Sequence, residues 1–225
     1  MLMLAYSFLE KRYWAKSAYW FLLLKKLAGE RDMSGKMLNF AETHAIMDTT
    51  EEFAMIKANC LEIYIKKLRD YGTSWRLMRP SSITDQIMIK ARRIRSIEEK
   101  GESRIEEGII PEFMGIVNYS VMERIQLAIG PGADLEEEAA VKMYNDYFDS
   151  ATRLMCDKNH DYDEAWRDMR VSSFTDIILT KLHRIKRIED NGGKTCVSEG
   201  IDSNLMDIIN YSIFALIQLH EAEEA

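Results

Sequence analysis

The chain has 225 residues, 30 of them Lys or Arg and 37 Asp or Glu, for a net charge of −7. That acidic balance argues against binding along a nucleic-acid backbone, where a basic surface supplies most of the affinity. It leaves room for a nucleotide, which needs only a local cationic cluster or a metal. Three cysteines (Cys60, Cys156 and Cys196) show no metal-ligand spacing and read as free thiols of a cytoplasmic protein.

Residues 1–46 differ from the rest. They hold seven Lys/Arg against four Asp/Glu, which leaves −10 for residues 47–225. The apolar run Ala18–Leu24 is far short of the roughly 20 residues a membrane span needs, and no convincing small-residue cleavage site follows it. Tyr13, Trp14, Tyr19, Trp20 and Phe21 with flanking lysines suit an interfacial amphipathic helix. The alternative is that 1–46 stand outside the fold, because Met47 sits where the first of two repeats begins.

The repeats dominate the remainder. A shift of 91 aligns Lys67–Gly101 with Lys158–Gly192 at 18 identities in 35 positions, and a shift of 92 aligns Glu107–Leu127 with Glu199–Leu219 at 11 in 21. Repeat 1 spans 47–130 and repeat 2 spans 134–220, with Gly130-Pro131-Gly132 breaking the chain between them. Each repeat predicts three helices. Helix A starts at the cap Asp48, or near Asp134, and ends at Asp70-Tyr71 or Asp161-Tyr162. A tryptophan connector follows. Helix B opens on a capping-box pattern, Ser82-x-x-Asp85 or Ser173-x-x-Asp176, and stops at Gly101 or Gly192-Gly193. Helix C begins after Gly108 or Gly200. The fold class is all-α: duplicated three-helix repeats packed as an intramolecular pseudo-dimer. Self-association into a homo-oligomer stays open.

Candidate chemistry concentrates in repeat 2. Asp207 and Asn210 are three apart on helix C and therefore neighbours, with Glu199 near its start. Two acids and an amide there suit a hard divalent cation such as Mg²⁺. Equally, Asn210 and Gln218 are buried hydrogen-bonding groups and Asp207 is solvated. Repeat 1 keeps Glu107, Asn118 and Gln126 but has Gly115 at the Asp207 position, so a metal site would exist in one copy only. Lys181 and Arg184 on helix B lie close to its apolar side and need an anion, either phosphate or a salt-bridge partner in Glu189 or a helix C acid. Asp176 is explained by the capping box, with metal ligation as its other reading. Lys158, Asp161 and Tyr162 could stand at a site mouth. Tyr162 and Trp166 either anchor the connector or flank a base.

The ordered set Lys158, Asp161-Tyr162, Trp166, Thr175-Asp176, Lys181, Arg184-Ile185, Glu199 and Asp207-x-x-Asn210-Tyr211 resembles the nucleotide modification associated domain 1 family, here in two tandem copies. The acids around helix C are also distantly similar to those of MazG-type all-α nucleoside triphosphate pyrophosphohydrolases, which pair acids on two helices around magnesium. This chain departs from that pattern, with Asp207-x-x-Asn210 and Asp146-x-x-Asp149 in repeat 2 and no intact pair in repeat 1. The resemblances imply a nucleotide or modified nucleotide as ligand. Glu199 and Asp207, with help from Asp176, would hold Mg²⁺ for phosphoanhydride hydrolysis. The alternative is a noncatalytic binding module.

Overall fold

The computed structural model describes residues 48–102 and 108–224. The expectations for residues 1–46 and for Glu107 lie outside the described residues. Two compact units divide the chain, Met1–Ala58 and Asn59–Ala225. The described part of the first is the start of α1 (Thr49–Tyr71). Asp48 sets that start as predicted: its Oδ1 accepts the Glu51 N–H at 2.9 Å, with Glu51 and Glu52 at the positive end of the helix dipole.

The second unit holds the rest of α1 and then α2 (Pro80–Lys100), α3 (Ile110–Ile129), α4 (Glu137–Tyr162), α5 (Val171–Asp190) and α6 (Ile201–Glu224). All long described elements are α-helical. In this unit α3 packs on α6 and α2 on α5, so each core helix meets its own counterpart from the other repeat. Contacts of α2 with α3 and of α5 with α6 close the four-helix core, and α4 lies against both α3 and α6. The stripes that meet are Ile83, Ile87, Ala91 and Ile94 of α2, Phe174, Ile178, Leu182 and Ile185 of α5, and the faces of α3 and α6 around Val117, Val121, Ile209 and Ile213, all fully buried. Each such large side chain contributes about 1.5–3 kcal/mol, so apolar burial carries the stability and polar contacts choose the register.

Those polar contacts come in mirrored pairs. Thr84 Oγ1 lies 2.9 Å from Glu189 Oε1, and its equivalent Thr175 lies 2.9 Å from Glu98 Oε1. Lys186 donates to Asp85 at 2.6 Å, while Arg95 donates to Asp176 at 3.1 Å. Position 84 corresponds to 175, 85 to 176, 95 to 186 and 98 to 189, so each pair is one contact formed twice between antiparallel helices. This is the duplicated, pseudo-dimeric bundle that the repeat implies.

The capping boxes do not form. The helices begin earlier, at Pro80 and Val171, after extended Arg79 and Arg170. Pro80 at the first helical turn presets the backbone, and the Arg170 carbonyl accepts from Ser173 at 2.9 Å and Phe174 at 3.4 Å. Asp85 and Asp176 are thereby released to cross to the other repeat. Between helices A and B, 3-10 turns at Ser74–Leu77 and Ala165–Asp168 bury Trp75 and Trp166. A glutamine pins each turn. Gln126 Nε2 donates to the carbonyls of Arg76 (2.9 Å) and Met78 (2.6 Å), and Gln218 Nε2 to those of Trp166, Arg167 and Met169 at 3.2, 3.1 and 3.0 Å.

One contact breaks the symmetry. Thr84 Oγ1 also lies 2.8 Å from Glu123 Oε1, whereas repeat 2 has Ala215 at the position of Glu123. A hydroxyl carries one proton and can donate to only one of the two carboxylates, so the other carboxyl must supply its own. Glu123 is the better proton holder: it is fully buried, and its Oε2 has no hydrogen-bond partner among the described residues. Burial pushes its pKa from 4.5 up to about 8, with the Thr84 bond opposing and Glu189 adding to the rise. Between those values the folded chain keeps a proton that the unfolded chain releases, so stability falls as pH rises from about 5 to 8. Glu123→Gln supplies a permanent donor to Thr84. It is expected to flatten this fall and to raise stability at pH 8 by roughly 1–3 kcal/mol, read by urea denaturation. A wild-type stability that is level across this range would contradict the assignment.

Candidate functional site

The predicted site begins on α6, where Asp207 is buried. Lys158 Nζ, from the end of α4, donates to its Oδ1 at 2.5 Å. Lys181 Nζ, from α5, donates to its Oδ2. Burial pulls the Lys158 pKa down, but the bond and charge of Asp207 more than reverse this, and the ammonium ends above its usual 10.5. Lys158 therefore stays charged throughout the neutral range. Two cations on one acid leave a net positive cluster, and the Lys158 side chain is about half exposed.

Repeat 1 holds an equivalent cluster with its acid displaced. Lys90 and Arg93, the counterparts of Lys181 and Arg184, both donate to Glu112, the lysine at 3.2 Å. Glu112 aligns with Asn204, and Gly115 aligns with Asp207. The acid has moved one helical turn along the same stripe. Gly115 makes the move feasible, because a Cβ there would lie 2.7 Å from Lys90 Cε. Repeat 1 has thus not lost its acid, as the alignment column alone suggests; it has relocated it.

Two clefts flank the Asp207 cluster. One, of about 270 Å³, is lined by Met155, Lys158, Asn159, Tyr162, Ala165, Trp166, Met169, Asp207, Asn210, Tyr211 and Phe214. It brings together five of the residues singled out from sequence: Lys158, Tyr162, Trp166, Asp207 and Asn210. Tyr162 is 70% exposed at this cleft. Trp166 is not a free stacking platform. Phe214 stacks on it at 4.3 Å between centroids, and the Arg167 guanidinium lies 4.4 Å from its centroid. Asn210 Nδ2 donates to the Ala151 carbonyl at 3.0 Å, the same bond that Asn118 makes to Cys60 at 3.1 Å. These two residues carry scaffold duties in both copies.

The second cleft, of about 630 Å³, is lined by Arg184, Arg187, Ile188, Lys194, Thr195, Cys196, Val197, Ser198, Glu199 and Asn204. Glu199 and Arg184 therefore line a different cleft from Asp207. Asp176 is engaged by Arg95 of α2, and exposed Asp161 sits 3.2 Å from His160. Among the described residues no three His, Cys, Asp or Glu side chains are grouped to hold a metal ion, and Asp207 is occupied by two ammonium groups. A ready-made magnesium cage does not fit this arrangement. Sequence reasoning missed Arg187 and Lys194. The available signal for Arg187 was its counterpart, Ser96: a cation gained in one copy only.

The family profile for nucleotide modification associated domain 1 matches residues 67–127 and again 158–219, together more than half of the chain. The chain belongs to this family. No curated protein and no solved structure matches it. Each family segment opens on the Lys67 or Lys158 end of helix A and closes just beyond the pinning glutamine, Gln126 or Gln218. The family unit is thus the connector, helix B and helix C, the part that carries the clefts. No helix among the described residues is long and apolar enough to cross a membrane.

The relocated acid yields a rescue test. Glu112→Asn is expected to cost about 1–3 kcal/mol, less than the 3–5 typical of breaking a fully buried pair, because Lys90 and Arg93 remain about a quarter exposed. Adding Gly115→Asp restores the repeat 2 arrangement and should recover most of that loss in urea denaturation. A double variant less stable than Glu112→Asn alone would show that the two arrangements are not equivalent.

Proposed function

We propose that this chain is a nucleotide-binding protein whose working site lies in repeat 2. The observation that carries the reading is the position of the net-positive Lys158–Asp207–Lys181 cluster beside a cleft walled by aromatic and methionine side chains. A base needs an apolar, π-rich slot and a phosphate needs an unbalanced cation, and this cleft offers both within one turn of α6. Tyr162 is the stacking surface and Tyr211 the inner wall. Lys158, the more exposed of the two lysines, meets the phosphate. Family membership supports the ligand class by name alone.

Magnesium-dependent phosphoanhydride hydrolysis is the more demanding reading. It asks Glu199 and Asp207 to serve one ion although they line separate clefts and Asp207 already has two ammonium partners. Binding without turnover fits the arrangement better.

Calorimetry with a panel of unmodified and modified nucleotides, with and without Mg²⁺, tests the proposal. Binding is expected for part of the panel, weakened about tenfold by Tyr162→Ala. An absence of binding across the panel would defeat it. Pyrophosphate release that disappears in Glu199→Ala would replace the binding reading with the hydrolytic one.

A further inference from the structure

The cleft over α5 and the start of α6 differs from its repeat 1 counterpart in how its cations are spent. Arg93 in repeat 1 is committed to Glu112. Its equivalent Arg184 is not, because Asn204 stands where Glu112 stands and the acid sits a turn further on, held by Lys158 and Lys181. Asn204 is itself used as structure: its amide donates to the carbonyls of Gly200 at 2.8 Å and Glu199 at 3.4 Å, tying down the cleft rim. One turn along α5, Arg187 replaces Ser96, and Lys194 enters from the loop. None of the three cationic side chains has a hydrogen bond or ion pair among the described residues, and Glu199 is the one acid lining the cleft.

From this we infer that the cleft formed by Arg184, Arg187 and Lys194 binds a chain of linked phosphates, so that the ligand class is a nucleoside di- or triphosphate rather than a monophosphate. The inference rests on the nucleotide-binding reading for the identity of the ligand, but not for the anion site. Arg184 and Arg187, three apart on a helix, have Cβ atoms about 5–6 Å apart. Each guanidinium presents a planar fork suited to a phosphate edge. Two forks and an ammonium so arranged meet successive groups of an extended oligoanion better than they converge on one phosphate. Nearby Asp207 takes no part, because its charge is already neutralised. Repeat 1 cannot do the same: its acid sits on the arginine, and Ser96 supplies no charge.

Calorimetry on the full chain with a nucleoside monophosphate, the matching triphosphate and inorganic tripolyphosphate tests this. The triphosphate is expected to bind at least about tenfold more tightly than the monophosphate, the worth of one or two charge-assisted contacts, and tripolyphosphate should compete with it. Arg187→Ser combined with Lys194→Glu, both exposed positions, should remove most of that preference without changing the thermal midpoint. Equal affinity for mono- and triphosphate, insensitive to the double substitution, would overturn the inference and leave nucleotide binding standing. Tripolyphosphate binding that depends on Arg187 and Lys194, with no nucleotide bound, would uphold the anion site, overturn the nucleotide reading and identify an inorganic oligophosphate as the ligand. No binding of any of the three would overturn both.

Discussion

Helices α3 and α6 facing each other, with α2 facing α5, is the constraint on which the rest of the second unit depends. Three helices of one repeat expose apolar stripes too wide to leave in water, and the other repeat supplies the matching stripe. Once counterparts face each other, the polar groups flanking them must be satisfied twice over by the same chemistry. The mirrored Thr–Glu and Asp–cation contacts meet that demand. They also absorb Asp176, which otherwise looks like a spare acid available for metal.

Within that symmetric frame the departures carry the functional information. Both repeats need one acid beneath the helix B lysine. Repeat 1 places it at Glu112, where it also takes Arg93; repeat 2 places it at Asp207, where it takes Lys158 instead. A shift of one turn therefore decides whether the helix B arginine is neutralised or free. Gly115 permits the first arrangement and Asn204 the second. A second departure, Glu123 against Ala215, puts a protonated carboxyl at one end of the α2–α5 interface and makes that interface sensitive to pH.

Much of the fold was legible in the chain. The repeat, the all-helical periodicity, the Asp48 cap and the breaks at Gly101 and Gly130–Gly132 all correspond to described elements. The capping boxes were misread because Ser-x-x-Asp is a local pattern, and the aspartates answer to partners about 80–100 residues away. The site was half legible. Lys158, Tyr162, Trp166, Asp207 and Asn210 do line one cleft, since spacing on α4, the connector and α6 fixes their faces. Glu199 and Arg184 fall in the neighbouring cleft, because sequence spacing cannot show which side of a loop an acid takes. The meaning of Gly115 was hidden for a related reason: an alignment column records an acid as lost, while only the packed helices show that it reappears a turn earlier.

The central claim is that two otherwise equivalent repeats differ in whether their helix B arginine is free to bind phosphate. Following the arginine Nε–Hε resonances by NMR during a nucleoside triphosphate titration tests it most directly. Arg184 and Arg187 should shift while Arg93 stays fixed on Glu112. Equal movement of Arg93 and Arg184, or movement of neither, would contradict the account.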